Sequence, residues 1–288
     1  MQMHNSDFRK LESGLDALEI TQAKKSGIKA RVFRALSPLI AILGFLIIWQ
    51  LVITFSDIES YILPSPSDVA NSMSNQWDQG NLQQAVFKSF SRGAQGFLLA
   101  IAFATPIGLA LGLNKYLRMV FGPILLGLQQ LPSVAWVPAA IIWFGLSPTT
   151  IFAVILLGAV PSIANGLISG IDQIPPLYLK LSKVLRANKW QEIRHIILPG
   201  AWTGYLAGLE QGWAFAWRSL MAAELIAVSP ALGLGIGQLL DVGRQLGDMS
   251  LVLTSIFMIM LIGIVVEKIF FSPLRTRTLT KRGFKANI

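Results

Sequence analysis

The sequence predicts an all-α polytopic membrane protein with six transmembrane helices and both termini in the cytoplasm. Three observations predict it. The chain is 53% hydrophobic with only 14% charged residues, against about 25% in soluble domains, and its mean hydropathy is +0.58. Six apolar stretches approach or exceed the roughly 20 residues that cross a bilayer as a helix. Lys and Arg fall on alternate connections, the pattern that marks those connections as cytoplasmic.

Residues 1–37 read as a basic cytoplasmic tail. Ser6 and Asp7 can cap a short amphipathic helix carrying Leu11, Leu15 and Leu18. No small-residue cleavage site follows a short apolar core, so a secretory signal is not expected. The membrane domain is expected over 38–272. Its first span runs from Pro38 to Phe55, and Leu63-Pro64-Ser65-Pro66-Ser67-Asp68 then makes an external turn and helix start. Val69, Met73 and Trp77 recur every four residues, as on a helix in the outer interface. The remaining spans are expected from Gly93 to Leu113, Phe121 to Phe144, Thr149 to Ile171, Pro199 to Ala227 and Met249 to Phe271. Lys115 and Arg118 lie between spans two and three, and Lys180 to Arg194 between four and five. A basic tail over 273–288 closes the chain. Residues 57–87 and 145–148 hold no Lys or Arg.

Composition excludes several functions. Cysteine is absent, and His4 and His195 are too far apart in sequence to suggest a metal cluster. The net charge of +9 is spread beside apolar spans and is no nucleic-acid signal. Gly233-Leu234-Gly235-Ile236-Gly237 lacks a preceding strand, and no phosphate-binding G-x-x-x-x-G-K-[ST] occurs; the run reads as a tight external re-entry before span six. No catalytic group, metal or cofactor is expected.

The spans themselves are irregular. Pro106, Pro123, Pro132, Pro138 and Pro161 each delete a backbone hydrogen bond, which lipid tolerates only where protein or water satisfies the freed carbonyl. Pro132 and Pro138 flank Trp136, so span three is expected to bend or break there and to line a path. Span five carries Glu210, Gln211, Arg218 and Glu224, and ionisable groups in spans default to functional candidates. Helical geometry puts Glu210, Trp213, Trp217 and Glu224 on one broad face and Gln211 with Arg218 on another. Arg218 should therefore meet a group on another helix or face a wet cavity. Ser162 and Asn165 could line a path or bond across helices.

The connection over 175–198 is both basic and helix-patterned, as a docking element would be. Leu177, Leu181 and Leu185 form one face of a first helix, with Lys180 and Lys183 on another. Asn188 with Gln191 can form a capping box for a second, carrying Trp190, Ile193 and Ile197. Apolar anchors inside a basic rim suit a pocket on a soluble partner.

Ala187-Asn188-Lys189-Trp190, Ile196 and Leu198-Pro199-Gly200-Ala201 resemble the cytoplasmic "EAA" coupling loop of ABC importer permeases. Leu63-Pro64-Ser65-Pro66, Leu131-Pro132-x-x-Ala135-Trp136-x-Pro138, Trp143-Phe144-Gly145 and Ala223-Glu224-Leu225 narrow the resemblance to the nitrate/sulfonate/taurine/bicarbonate branch. The resemblance implies a type I importer permease fold, a homodimer of this chain in the bilayer, two cytoplasmic ATP-binding subunits and an extracytoplasmic substrate-binding protein. It implies ATPase coupling through Lys180, Leu181, Arg186, Asn188, Lys189, Trp190, Ile193, Ile197 and Pro199. A path through Pro132, Trp136, Pro138, Ser162, Asn165, Gln211 and Arg218 would carry a small oxyanion, sulfonate or taurine first and nitrate or bicarbonate second. One departure stands out: where the family's loop usually has Glu-Ala-Ala and then Gly, this chain has Lys180-Leu181-Ser182 and Arg186. A gradient-driven transporter is the rival class, opposed by the docking loop; a membrane enzyme would need clustered His, Asp or Glu in the spans.

Overall fold

The computed structural model describes residues 28–56, 58–229 and 232–281, and these contain helices and no strand. The expected amphipathic helix at Leu11, Leu15 and Leu18 lies outside them. The described residues up to Ile58 form one compact unit and those from Glu59 a second. In the first, α1 (Ile28–Phe55) begins well before the expected Pro38, and its apolar part is Leu39–Phe55.

The second unit opens with α2 (Pro66–Asp78). Its start is set by a capping box: Asp68 N–H donates to Ser65 Oγ and Ser65 N–H donates to the Asp68 carboxylate. The Ser65 hydroxyl also donates to the Asp68 carboxylate at 2.7 Å, and this bond first, then the one from the Ser65 backbone N–H, holds the Asp68 carboxyl below its usual value. Val69 is buried, Met73 packs on the core and Trp77 stays half exposed, the one-sided pattern read from the sequence. Next come α3 (Asn81–Leu113), α4 (Lys115–Gln130), a 3₁₀ turn (Ser133–Trp136), α5 (Val137–Phe144) and α6 (Pro148–Asp172). The docking segment follows as α7 (Pro176–Val184), α8 (Lys189–Glu192) and a π-turn (Ile193–Ile197). The chain ends with α9 (Leu198–Ile226), α10 (Ile236–Leu246), α11 (Met249–Val266), a second π-turn (Glu267–Phe271) and α12 (Ser272–Lys281).

The core is the pairing of α6 with α9, flanked by α3. In lipid, helices gain little from apolar burial and associate through close packing, which small residues permit. A Cβ on Gly166 would stand 2.3 Å from Gly208 Cα, and one on Gly204 would stand 2.5 Å from Gly170 Cα. Backbone thus meets backbone along this seam. Pro106, Pro123 and Pro161 sit inside continuous helices.

Three helical stretches among the described residues are long and apolar enough to cross a bilayer: Asn81–Leu113, Pro148–Asp172 and Met249–Thr280. The expected third span is broken, its halves α4 and Ser133–Phe144 meeting at 101°, and the pair would make a fourth crossing. The fifth expected span coincides with α9, whose Glu210, Gln211, Arg218 and Glu224 make it more polar. Two further features differ from expectation. Span two begins twelve residues early, at Asn81, so Lys88 and Arg92 lie inside α3. The glycine run is no tight re-entry: it leads into the eleven-residue helix α10.

Candidate functional site: docking loop and broken helix

The docking segment folds as two short helices joined by a tight turn. Ala187 N–H donates to the Ser182 carbonyl and Arg186 N–H to the Lys183 carbonyl. This is the closure that ends a helix with a left-handed residue, usually Gly. Here the left-handed residue is Arg186, at φ +51°. The departure noted in the sequence thus sits where a side chain is least comfortable. Asn188 and Gln191 form the expected capping box, with Asn188 Oδ1 accepting from Gln191 N–H at 2.8 Å and Gln191 Oε1 from Asn188 N–H at 2.9 Å. Buried Ser182 lies 3.0 Å from Glu192, tying the second helix to the first.

The anchors separate into two sets. Trp190 is 67% exposed, and Leu177, Leu181, Val184 and Leu185 are exposed with it. Ile197, expected beside Trp190, is only 3% exposed and belongs to the chain's own core, with Ile193 packed against it. The π-turn explains this, because its wider winding carries Ile197 off the face that α-helical spacing assigns it. Ile193 and Ile197 seat the loop, and Trp190 with the leucines faces outward. Behind the loop lies an open cavity of about 710 Å³ bordered by Gln173, Tyr178, His195, Pro199 and Thr203.

The second locus is the break at Leu131-Pro132. Pro132 directly precedes the 3₁₀ turn, and Pro138 occupies the first turn of α5, where a missing N–H costs nothing. Gln129, at the end of α4, donates from Nε2 to Ser162 Oγ at 2.8 Å and accepts from Asn165 Nδ2 at 2.7 Å. One glutamine thereby holds both polar residues that the sequence singled out on α6. Gln129 itself was missed; its signal was a Gln-Gln pair just before Leu-Pro in an apolar span. The Trp136 indole N–H is buried beside the break without a partner among the described residues.

Among the described residues Arg218 makes no ion pair with a carboxylate and no hydrogen bond to another helix. Its Nε donates to the Ala214 carbonyl at 3.0 Å, and its guanidinium lies 4.6 Å from the Phe215 ring centroid. Arg218 and Gln211 are both exposed, while Trp213, Trp217 and Glu224 are buried, so the two faces read from the sequence are the observed ones. Glu224 is part of a structural lock. It is 0% exposed and accepts from Ser89 Oγ (2.6 Å), Arg92 Nη1 (2.8 Å) and Gly237 N–H (3.2 Å). Arg92 also donates to the Leu232 carbonyl, and Ile236 N–H to Ser89 Oγ. The carboxylate sits at the first turn of α10, where free N–H groups favour a negative charge. Arg92 was missed because the expected span began one residue after it.

The docking loop, the broken helix and the α6–α9 core all fall inside a match to one family model, the binding-protein-dependent transport system inner membrane component, over residues 96–270. The chain belongs to this family. The permease has relatives of comparable length. It is 31% identical to the bicarbonate transport system permease protein CmpB of Synechococcus elongatus, over 74% of this chain and 80% of that one. It is 30% identical to the taurine transport system permease protein TauC of Escherichia coli, over 65% and 70%. It is 28% identical to the nitrate import permease protein NrtB of Synechococcus elongatus, over 78% and 83%. The permease is therefore an all-helical, multi-pass inner-membrane component of an ABC-type transporter, in a family whose members work with ATP-binding and substrate-binding partners.

Proposed function

We propose that this chain is the membrane-spanning subunit of an ATP-driven importer of a small oxyanion, with ATP hydrolysed on separate subunits. The observation that carries the reading is the exposed Trp190 on a capped helix inside a family-matched loop. A large aromatic held outward on a rigid element is an interface anchor awaiting a pocket. In this reading 38–272 is the permease domain with six spans, and 1–37 and 273–288 are cytoplasmic tails. The assembly holds two copies of this chain, two ATP-binding subunits and one external binding protein.

Substrate would pass the break at Pro132, Trp136 and Pro138, the Gln129–Ser162–Asn165 cluster, and the face carrying Gln211 and Arg218. Relatives named for bicarbonate, taurine and nitrate support a small anion, and an exposed arginine without a carboxylate partner suits one. Within that class we adopt sulfonate or taurine, with nitrate or bicarbonate as alternatives.

The test is reconstitution with the cognate ATP-binding subunits and binding protein. Trp190→Ala should abolish ATP-dependent uptake and release the ATP-binding subunit while folded yield stays normal. Arg218→Gln should lower uptake with the assembly intact, and competition among taurine, nitrate and bicarbonate names the anion. Uptake that persists without any ATP-binding subunit, driven by an ion gradient, would remove the proposal.

A further inference from the structure

Residues 175–199 contain Lys180, Lys183, Arg186, Lys189 and Arg194 against one carboxylate, Glu192. All five cations are exposed. Among the described residues none of their side chains makes an ion pair or hydrogen bond, and Glu192 is engaged by Ser182. They share this segment with the exposed Leu177, Leu181, Val184, Leu185 and Trp190. Arg186 adds a second, independent observation. It holds a left-handed conformation that costs any side chain energy and that glycine adopts freely. Strain of this kind concentrates where a side chain has a task.

We infer that Arg186, with Lys180, is a specificity determinant for the ATP-binding subunit, whose receiving pocket carries carboxylates where it meets these two cations. This rests on the proposed docking of the loop and adds the chemistry of the partner's rim. The reasoning is charge complementarity. A partner surface that takes Trp190 and the exposed leucines also meets cations carried by the same two helices and the turn between them, and a basic or neutral rim would leave any it covers desolvated and unpaired. The turn also fixes the Arg186 backbone, so little freedom is left to lose on binding.

The experiment measures affinity of the cognate ATP-binding subunit for the full-length permease in phosphatidylcholine nanodiscs, across a range of salt concentrations. Arg186→Asn keeps a residue that tolerates the left-handed turn and removes the charge; Arg186→Gly removes charge and strain together. Both should weaken binding about three- to tenfold at low salt and flatten its salt dependence, and Arg186→Gly should do so while raising the melting temperature of the permease alone. Arg186→Lys should keep most of the affinity, and Arg186→Glu with Lys180→Glu should lose the most. Wild-type affinity and salt slope in the Asn and Gly variants, with Trp190→Ala still abolishing binding, would overturn this inference and leave the docking itself standing. No effect of Trp190→Ala would remove both. An Arg186 effect confined to discs containing phosphatidylglycerol would assign the cation to anionic lipid headgroups and refute the inference.

Discussion

Removing one side of the Glu224 lock should destabilise the junction of α3, α9 and α10 that it holds together. In Glu224→Ala, Arg92 keeps its charge in a site where it is only 9% exposed, and Ser89 Oγ and Gly237 N–H lose their acceptor. Breaking a buried pair from one side costs about 3–5 kcal/mol. At about 2–4 °C per kcal/mol for a chain of this order, the melting temperature should fall by roughly 6–20 °C. Arg92→Met alone should fall by a comparable amount, because it strands the carboxylate. The double variant Glu224→Ala/Arg92→Met should lose far less than the sum, leaving a coupling of about 2 kcal/mol or more. The assay is thermal unfolding in nanodiscs followed by tryptophan fluorescence, with Trp217 a near reporter on α9. Strictly additive losses, or a drop of less than about 2 °C for Glu224→Ala, would refute the argument that the pair is buried and mutually dependent.

The other predictions follow from single contacts. Gly166→Ala should cut folded yield sharply, because its new methyl would stand 2.3 Å from Gly208 Cα and two backbones must part; Gly127→Ala, with nothing within 4 Å, should leave yield and melting temperature unchanged or slightly raised. The α2 capping box should be acid-sensitive: the Asp68 carboxyl is depressed from its usual 3.8, so its contribution is present above that value and lost as pH falls through the lower folded one. NMR titration of the Asp68 carboxyl should give a midpoint below 3.8 that Ser65→Ala moves back up, and an unmoved midpoint would reject Ser65 as the cause.

Much of the architecture was legible in the residues because bilayer physics is one-dimensional at the level of a single helix. The span Thr149 to Ile171 and the helix Pro148–Asp172 differ by one residue at each end, since length and apolarity alone decide such an element. The Asn188–Gln191 cap, the helix start within Leu63-Pro64-Ser65-Pro66-Ser67-Asp68 and the break around Pro132 are local chemistry and were legible for the same reason. Helical periodicity also separated the buried Trp213, Trp217 and Glu224 from the exposed Gln211 and Arg218.

Pairings between distant segments come from the way the helices cross. Arg92 and Glu224 are 132 positions apart, and neither periodicity nor hydropathy relates them. Gln129 joins Ser162 and Asn165 because the 101° break brings the end of α4 against α6. Ile197 turns inward because a π-turn shifts its register, which a count of 3.6 residues per turn does not register. Arg186 is strained only because the chain must reverse between α7 and α8. Sequence determines each helix through its own composition and caps; which polar groups meet depends on how the helices cross, and that is decided where Gly166, Gly170, Gly204 and Gly208 let α6 and α9 touch.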